Sequence, residues 1–107
     1  MRVLWYRTSA GNDPVKKYLL ALPAEEAAEL YAHLKEIENN GLAAAVTRQL
    51  RGRLWEIKYR AQRLLFVLLP GGRLVLLHAF RKSSKKAPPR DVDLAWSRMK
   101  EVLETET

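Results

Sequence analysis

The chain has 107 residues, 48% hydrophobic and 29% charged, with no cysteine, which suits a single domain over residues 1–107 and is short of two. Disulfide scaffolds and cysteine-ligated zinc sites are therefore excluded, and the longest apolar run, the six residues 64–69, falls far below the roughly 18 needed to cross a bilayer. Arg7 interrupts the opening segment before it could serve as the apolar stretch of a secretion signal, so a soluble cytoplasmic protein is expected.

Charge is unevenly distributed. Nineteen Lys and Arg against twelve Asp and Glu give a net +7. Residues 48–90 alone hold twelve basic side chains and one acid, Glu56, a net +11, while the rest of the chain is slightly acidic. Such a cluster repels itself unless an anion neutralises it, which points to nucleic acid or another polyanion, against the plainer reading of a solvated cationic ribbon.

In chain order, residues 2–6 read as a first strand, rich in Val, Trp and Tyr. Asn12-Asp13-Pro14 signals a helix start, with a capping side chain and then Pro at the first helical position. Val15, Tyr18, Leu19 and Leu22 follow as an apolar stripe. Pro23 restarts the chain, and residues 24–40 carry a second stripe of Ala27, Leu30, Tyr31, Leu34 and Ile37 before Gly41. Glu25, Glu26 and Glu29 lie in the early turns, where the helix dipole favours negative charge.

From Leu54 the period falls to two: Trp55, Ile57 and Tyr59 share one strand face and Glu56, Lys58 and Arg60 the other. Residues 63–69 are almost wholly apolar, as in a strand covered on both faces. Pro70-Gly71-Gly72 turns the chain into a partner strand over 73–80. After a polar loop at 83–89, a last helix carries the stripe Val92, Ala95, Trp96, Met99, Val102 and Leu103. The order β, α, α, three or four mostly antiparallel strands, α predicts an α+β domain, a small sheet packed by a two-helix hairpin and a C-terminal helix. With the helices on one face, the other would be solvated, and Lys58 and Arg60 would emerge there beside the basic loop as a concave patch.

These residue types restrict the chemistry. Two-metal nuclease sites need converging carboxylates, and the basic half offers only Glu56. His33 and His78 are far apart in sequence, with no further ligand in sight for zinc. No nucleophile-elbow motif is present. Metal-free RNA cleavage fits better: the ribose 2′-OH is an internal nucleophile, and the protein holds the backbone in line, stabilises charge on the phosphorane and moves protons. Arg offers a planar, permanently charged fork to phosphate oxygens. Lys supplies charge, and His78 is the one imidazole of the basic half; its alternative role is a strand histidine satisfied by its neighbours. Trp55, Tyr59 and Phe80 could stack on bases, although Trp55 also suits the core. Arg51, Arg53 and Arg73 read as peripheral charge.

Leu50-Arg51-Gly52-Arg53-Leu54-Trp55-Glu56-Ile57-Lys58, then Arg63-Leu64-Leu65, then Gly71-Gly72-Arg73 through Leu77-His78-Ala79-Phe80-Arg81-Lys82, a Lys/Pro loop and a helix resemble the phage-type HigB branch of the RelE/ParE toxin superfamily across essentially the whole chain. The resemblance implies a toxin of a type II toxin–antitoxin pair that cleaves messenger RNA on the ribosome, contacting ribosomal RNA, without metal or cofactor. It also implies a helix-turn-helix antitoxin as partner. By position it assigns Lys58, Arg63, Arg81 and Lys82 to catalysis, with His78 as the further candidate. Arg60, Lys85, Lys86 and Arg90 are assigned to nucleic-acid contact. Two departures from RelE itself stand out: there is no Tyr or His after His78 to match its proton-transferring Tyr, and Glu56 occupies a position that is basic in RelE, although the Trp-Glu pair is usual in the phage-type branch that the chain resembles. The alternatives are a ParE-like inhibitor of DNA gyrase and a non-catalytic nucleic-acid-binding module.

Overall fold

The computed structural model describes residues 1–83, 85 and 88–106. The chain runs β1 (Arg2–Trp5), α1 (Pro14–Leu20), α2 (Ala24–Asn40), a 3₁₀ turn (Leu42–Ala44), β2 (Val46–Arg51), β3 (Leu54–Tyr59), β4 (Gln62–Leu69), β5 (Arg73–Arg81) and α3 (Pro89–Thr105). Pro14 opens α1 as expected, but Asp13 provides no side-chain cap; its carboxylate lies 3.2 Å from Arg7 Nε instead. Gly41 ends α2 at φ 80°, a backbone conformation that a residue with a Cβ rarely adopts.

The five strands lie in the order β1-β5-β4-β3-β2. β1 pairs parallel with β5 and the other three pairings are antiparallel. The α+β class is as the sequence predicts, and the fourth antiparallel strand is β2. Its side chains alternate little between exposed and half-buried positions, because an edge strand has few neighbours to bury against.

The expectation of one covered and one solvated face does not hold. On one side, α1 and α2 bury Val15, Leu19, Leu30, Leu34 and Ile37 against Val3, Ile57, Leu64, Phe66, Leu74 and Leu76. On the other, α3 places Ala95 and Met99 against Tyr6, Leu54, Leu65, Val67, Val75 and Leu77. The cause is visible in β4 and β5, which are apolar on both faces; the helical hairpin occupies one, and leaving the second in water would forfeit roughly 1.5–3 kcal/mol per large aliphatic side chain. Polar contacts fix α3 along its length. Asp91 Oδ1 lies 2.6 Å from His78 Nε2, Arg98 donates to the carbonyl of Leu77 at 2.9 Å, the Tyr6 hydroxyl donates to Glu101 at 2.6 Å and Arg73 donates to Glu106 at 2.8 Å.

A bulge in β5 determines which side chains meet α3. Leu65 pairs with His78 but Phe66 pairs with Leu76, so Leu77 is the extra residue. Leu77 and His78 consequently both project toward α3, where strict alternation would have sent His78 toward α2. Arg98 satisfies the carbonyl that the bulge releases from the ladder. No helix among the described residues is long and apolar enough to cross a membrane.

Phe66 is the largest fully buried side chain and lies in the core beneath α1 and α2. Phe66→Ala is expected to cost about 3–5 kcal/mol, read as a lowered urea midpoint with an unchanged slope.

Candidate nucleic-acid interface

The cationic residues meet at the end of the sheet where β3 turns into β4. Lys58 on β3 pairs with Arg63 on β4, and Arg63 with Phe80 on β5. Residues directly opposite in an antiparallel ladder share a face, so this row lies on the α3 side. Lys58 is exposed, whereas Arg63 is only 5% exposed. Its Nη1 donates to the carbonyls of Arg60 at 2.6 Å and Gln62 at 2.9 Å. The β3–β4 turn that supplies one of those carbonyls bends at Arg60, at φ 54°.

Beyond β5 the backbone N–H of Lys82 donates to Ala61 at 2.8 Å, which carries the ladder one residue past the strand. Ala61, Arg63, Lys82, Ser83 and Lys85 consequently line an open basin of about 540 Å³. A buried, backbone-anchored arginine is already partly desolvated and cannot swing away, so its attraction for an anion arriving there is stronger than that of a solvated surface charge.

The next row holds Arg48, Glu56, Leu65 and His78. Glu56 is 3% exposed and lies between two arginines, with Arg48 Nη2 at 3.5 Å and Arg63 Nε at 4.0 Å. His78 is engaged by Asp91 and stacks on Phe80 with ring centroids 5.9 Å apart. The contribution of Arg48 was not apparent in the sequence because β2 was not assigned. Asp91 was read only as part of the helix that follows.

Other expected site residues lie elsewhere. Arg81 pairs with Gln62, one step from the Arg63–Phe80 pair, so it projects toward α2, where Nη2 donates to Glu26 at 2.6 Å. Adjacent strand residues face opposite ways, and Arg81 and Lys82 could not both join the basin from a continuing strand. Arg60 leans to the same side, 3.5 Å from Glu29 and over the Tyr59 ring. Trp55 and Tyr59 pack against the core beneath α1 and α2, and Tyr59 stacks on His33 at 4.5 Å; only Phe80 of the three aromatics is on the basin's face. Arg90 is exposed in the first turn of α3. Lys86 lies outside the described residues. Instead of the open concave sheet face expected, the cations rim a basin at the sheet's end. Among the described residues no three His, Asp or Glu side chains group as a metal site would require.

Residues 17–100 match the protein family described as Phage derived protein Gp49-like (DUF891). The match spans all of α2, β2 to β5 and most of α3, and so includes the whole basin. The chain matches none of the curated proteins compared with it.

The contacts of Arg81 set the acid response of the opposite face. The hydrogen bond from Arg81, with a second from Gln62, holds the Glu26 carboxyl below its ordinary 4.5, although partial desolvation opposes this. A carboxyl depressed in the folded state contributes stability above its unfolded pKa, and that contribution disappears as pH falls through the folded value. Glu26→Gln is therefore expected to reduce the loss of melting temperature below about pH 4.5, measured by thermal melts of both proteins between neutral and acid pH.

Proposed function

Because the chain belongs to the Gp49-like family of phage-derived proteins, a RelE-like toxin family of toxin–antitoxin systems, we propose that it is the toxin of a type II pair and a metal-independent endoribonuclease acting on messenger RNA at the ribosome. The observation that carries this reading is Arg63, a buried guanidinium tied to two backbone carbonyls and opening on a basin rimmed by Lys82 and Lys85, with Lys58 opposite it on β3.

In this reading the basin receives the scissile phosphodiester. The 2′-OH attacks the phosphorus in line as its proton passes to solvent, the P–O5′ bond breaks, and the departing 5′ oxygen takes up a proton from solvent, so that a 2′,3′-cyclic phosphate and a 5′-hydroxyl result. Arg63 and Lys58 stabilise the charge that grows on the non-bridging oxygens, a role suited to donors fixed before the reaction begins. Lys82 and Lys85 hold the backbone on either side of the bond. His78, already engaged by Asp91, serves the helix rather than the substrate. The partner is a helix-turn-helix antitoxin, and the site of action is the cytoplasm.

Arg63→Ala is expected to lower ribosome-dependent cleavage about 10²–10³-fold, the loss typical of a removed oxyanion donor, and Lys58→Ala is expected to relieve growth arrest as well. Primer extension on messenger RNA after induction, with circular dichroism to confirm the fold, reads both. Full toxicity of both variants would overturn the site. Inhibited gyrase supercoiling with uncut messenger RNA would replace the nuclease with a ParE-like inhibitor, and salt-dependent RNA binding without cleavage would leave a binding module.

A further inference from the structure

Glu56 is the only acid among the twelve basic residues of the 48–90 segment, and it is nearly inaccessible. Its neighbours do not complete its hydrogen bonding. Oε1 of Glu56 and Nε of Arg63 are both buried without a hydrogen-bond partner, although they face each other at 4.0 Å. Buried carboxylates and guanidinium groups that serve stability alone are normally fully hydrogen bonded, because each unmade bond costs free energy. Here a carboxylate and an arginine are held just beyond bonding distance beside the anion basin. On its other side Glu56 Oε2 lies 3.5 Å from Arg48, a half-exposed arginine on the edge strand that would otherwise be free to extend into solvent.

We propose that Glu56 is a positioning residue that joins Arg63 and Arg48 into a two-arginine clamp for a nucleic-acid phosphodiester, extending the site from the basin across β3 onto β2. Two constraints orient Arg63: the carbonyls of Arg60 and Gln62 hold Nη1, and the Glu56 carboxylate faces Nε. The same carboxylate draws Arg48 over the sheet, into the row next to the Lys58–Arg63 pair. Glu56 does not touch the substrate. Its negative charge is screened from the phosphate by the two cations it holds. The clamp deepens the phosphodiester reading given above and rests on it for the ligand class, but not for cleavage.

The sign of one substitution discriminates. Simple electrostatics says that removing a buried negative charge next to an anion site tightens anion binding, whereas loss of a positioning carboxylate loosens it. The probe is a short 2′-O-methyl RNA oligonucleotide, which lacks the nucleophile, titrated without ribosomes into wild type, Glu56→Gln, Glu56→Asp, Arg63→Lys and the Glu56→Gln/Arg63→Lys double variant. Glu56→Gln is expected to weaken binding about tenfold, within the range of coupling between neighbouring charged groups, and Glu56→Asp to restore part of it. The double variant should bind less than about tenfold weaker than Arg63→Lys alone, because part of the effect of Glu56 runs through that arginine and the rest through Arg48. Arg48→Ala should weaken the wild type and leave Glu56→Gln nearly unchanged. Tighter or unchanged binding by Glu56→Gln, fold-changes that multiply in the double variant, or no binding by wild type would each overturn the clamp. Should Glu56→Gln fail to melt cooperatively, Glu56→Asp carries the same comparison. Oligonucleotide binding without ribosome-dependent cleavage would remove the nuclease reading and leave the clamp standing.

Discussion

Lys58, Arg63 and Phe80 lie side by side because three antiparallel strands keep one register, and that register is enforced by burial on both faces of the sheet. A slip of one residue in β4 would turn Leu64 and Phe66 toward α3 and send Arg63 into the apolar layer beneath α1 and α2. The position of the cations is thus a consequence of the aliphatic core. Where α3 stops covering the sheet, apolar side chains give way to charge, and the basin forms at that boundary.

The two layers of helix divide the charged residues into separate groups. On the α2 side, Arg81 and Arg60 are drawn to Glu26 and Glu29 on α2, so the acidic turns that favour the helix dipole also neutralise two of the cations. On the α3 side, near the basin, the Glu56 carboxylate is placed between two arginines and that of Asp91 is engaged with His78. Net charge alone would count all of these cations together. Their distribution between faces decides which of them a helix carboxylate neutralises.

The sequence was most legible where a pattern is local. The helical stripes, the Pro14 start, the Gly71-Gly72 turn and the apolar run of β4 each reflect contacts made within one element, and the α+β order followed from them. It was least legible where a partner strand decides the outcome. β2 has little burial pattern of its own, so Arg48 had no face until β3 supplied one. His78 changes sides because of a bulge whose released carbonyl is satisfied by Arg98, twenty-one residues later. Arg81 and Lys82 are neighbours in the chain, yet the strand pleat separates them, which the pairing of Arg81 with Gln62 makes plain. The position of α3 on the second face was implicit in the two-sided apolarity of β4 but required recognising that the hairpin could cover only one side.

The parallel pairing of β1 with β5 also bears on the order of assembly. β1 has a single strand neighbour, and that neighbour is β5, the last strand of the sheet in chain order, with Arg2 beside Arg73 and Trp5 beside Leu76. Contacts so distant along the chain carry a large loop-closure penalty and form late. Both hairpin helices and three strands separate residues 2–5 from their partner strand along the chain, and the sheet closes on that edge only when β5 is in place. Arg63 and Lys82 come from β4 and from the residue after β5, so the basin between them takes shape only once those two strands are paired.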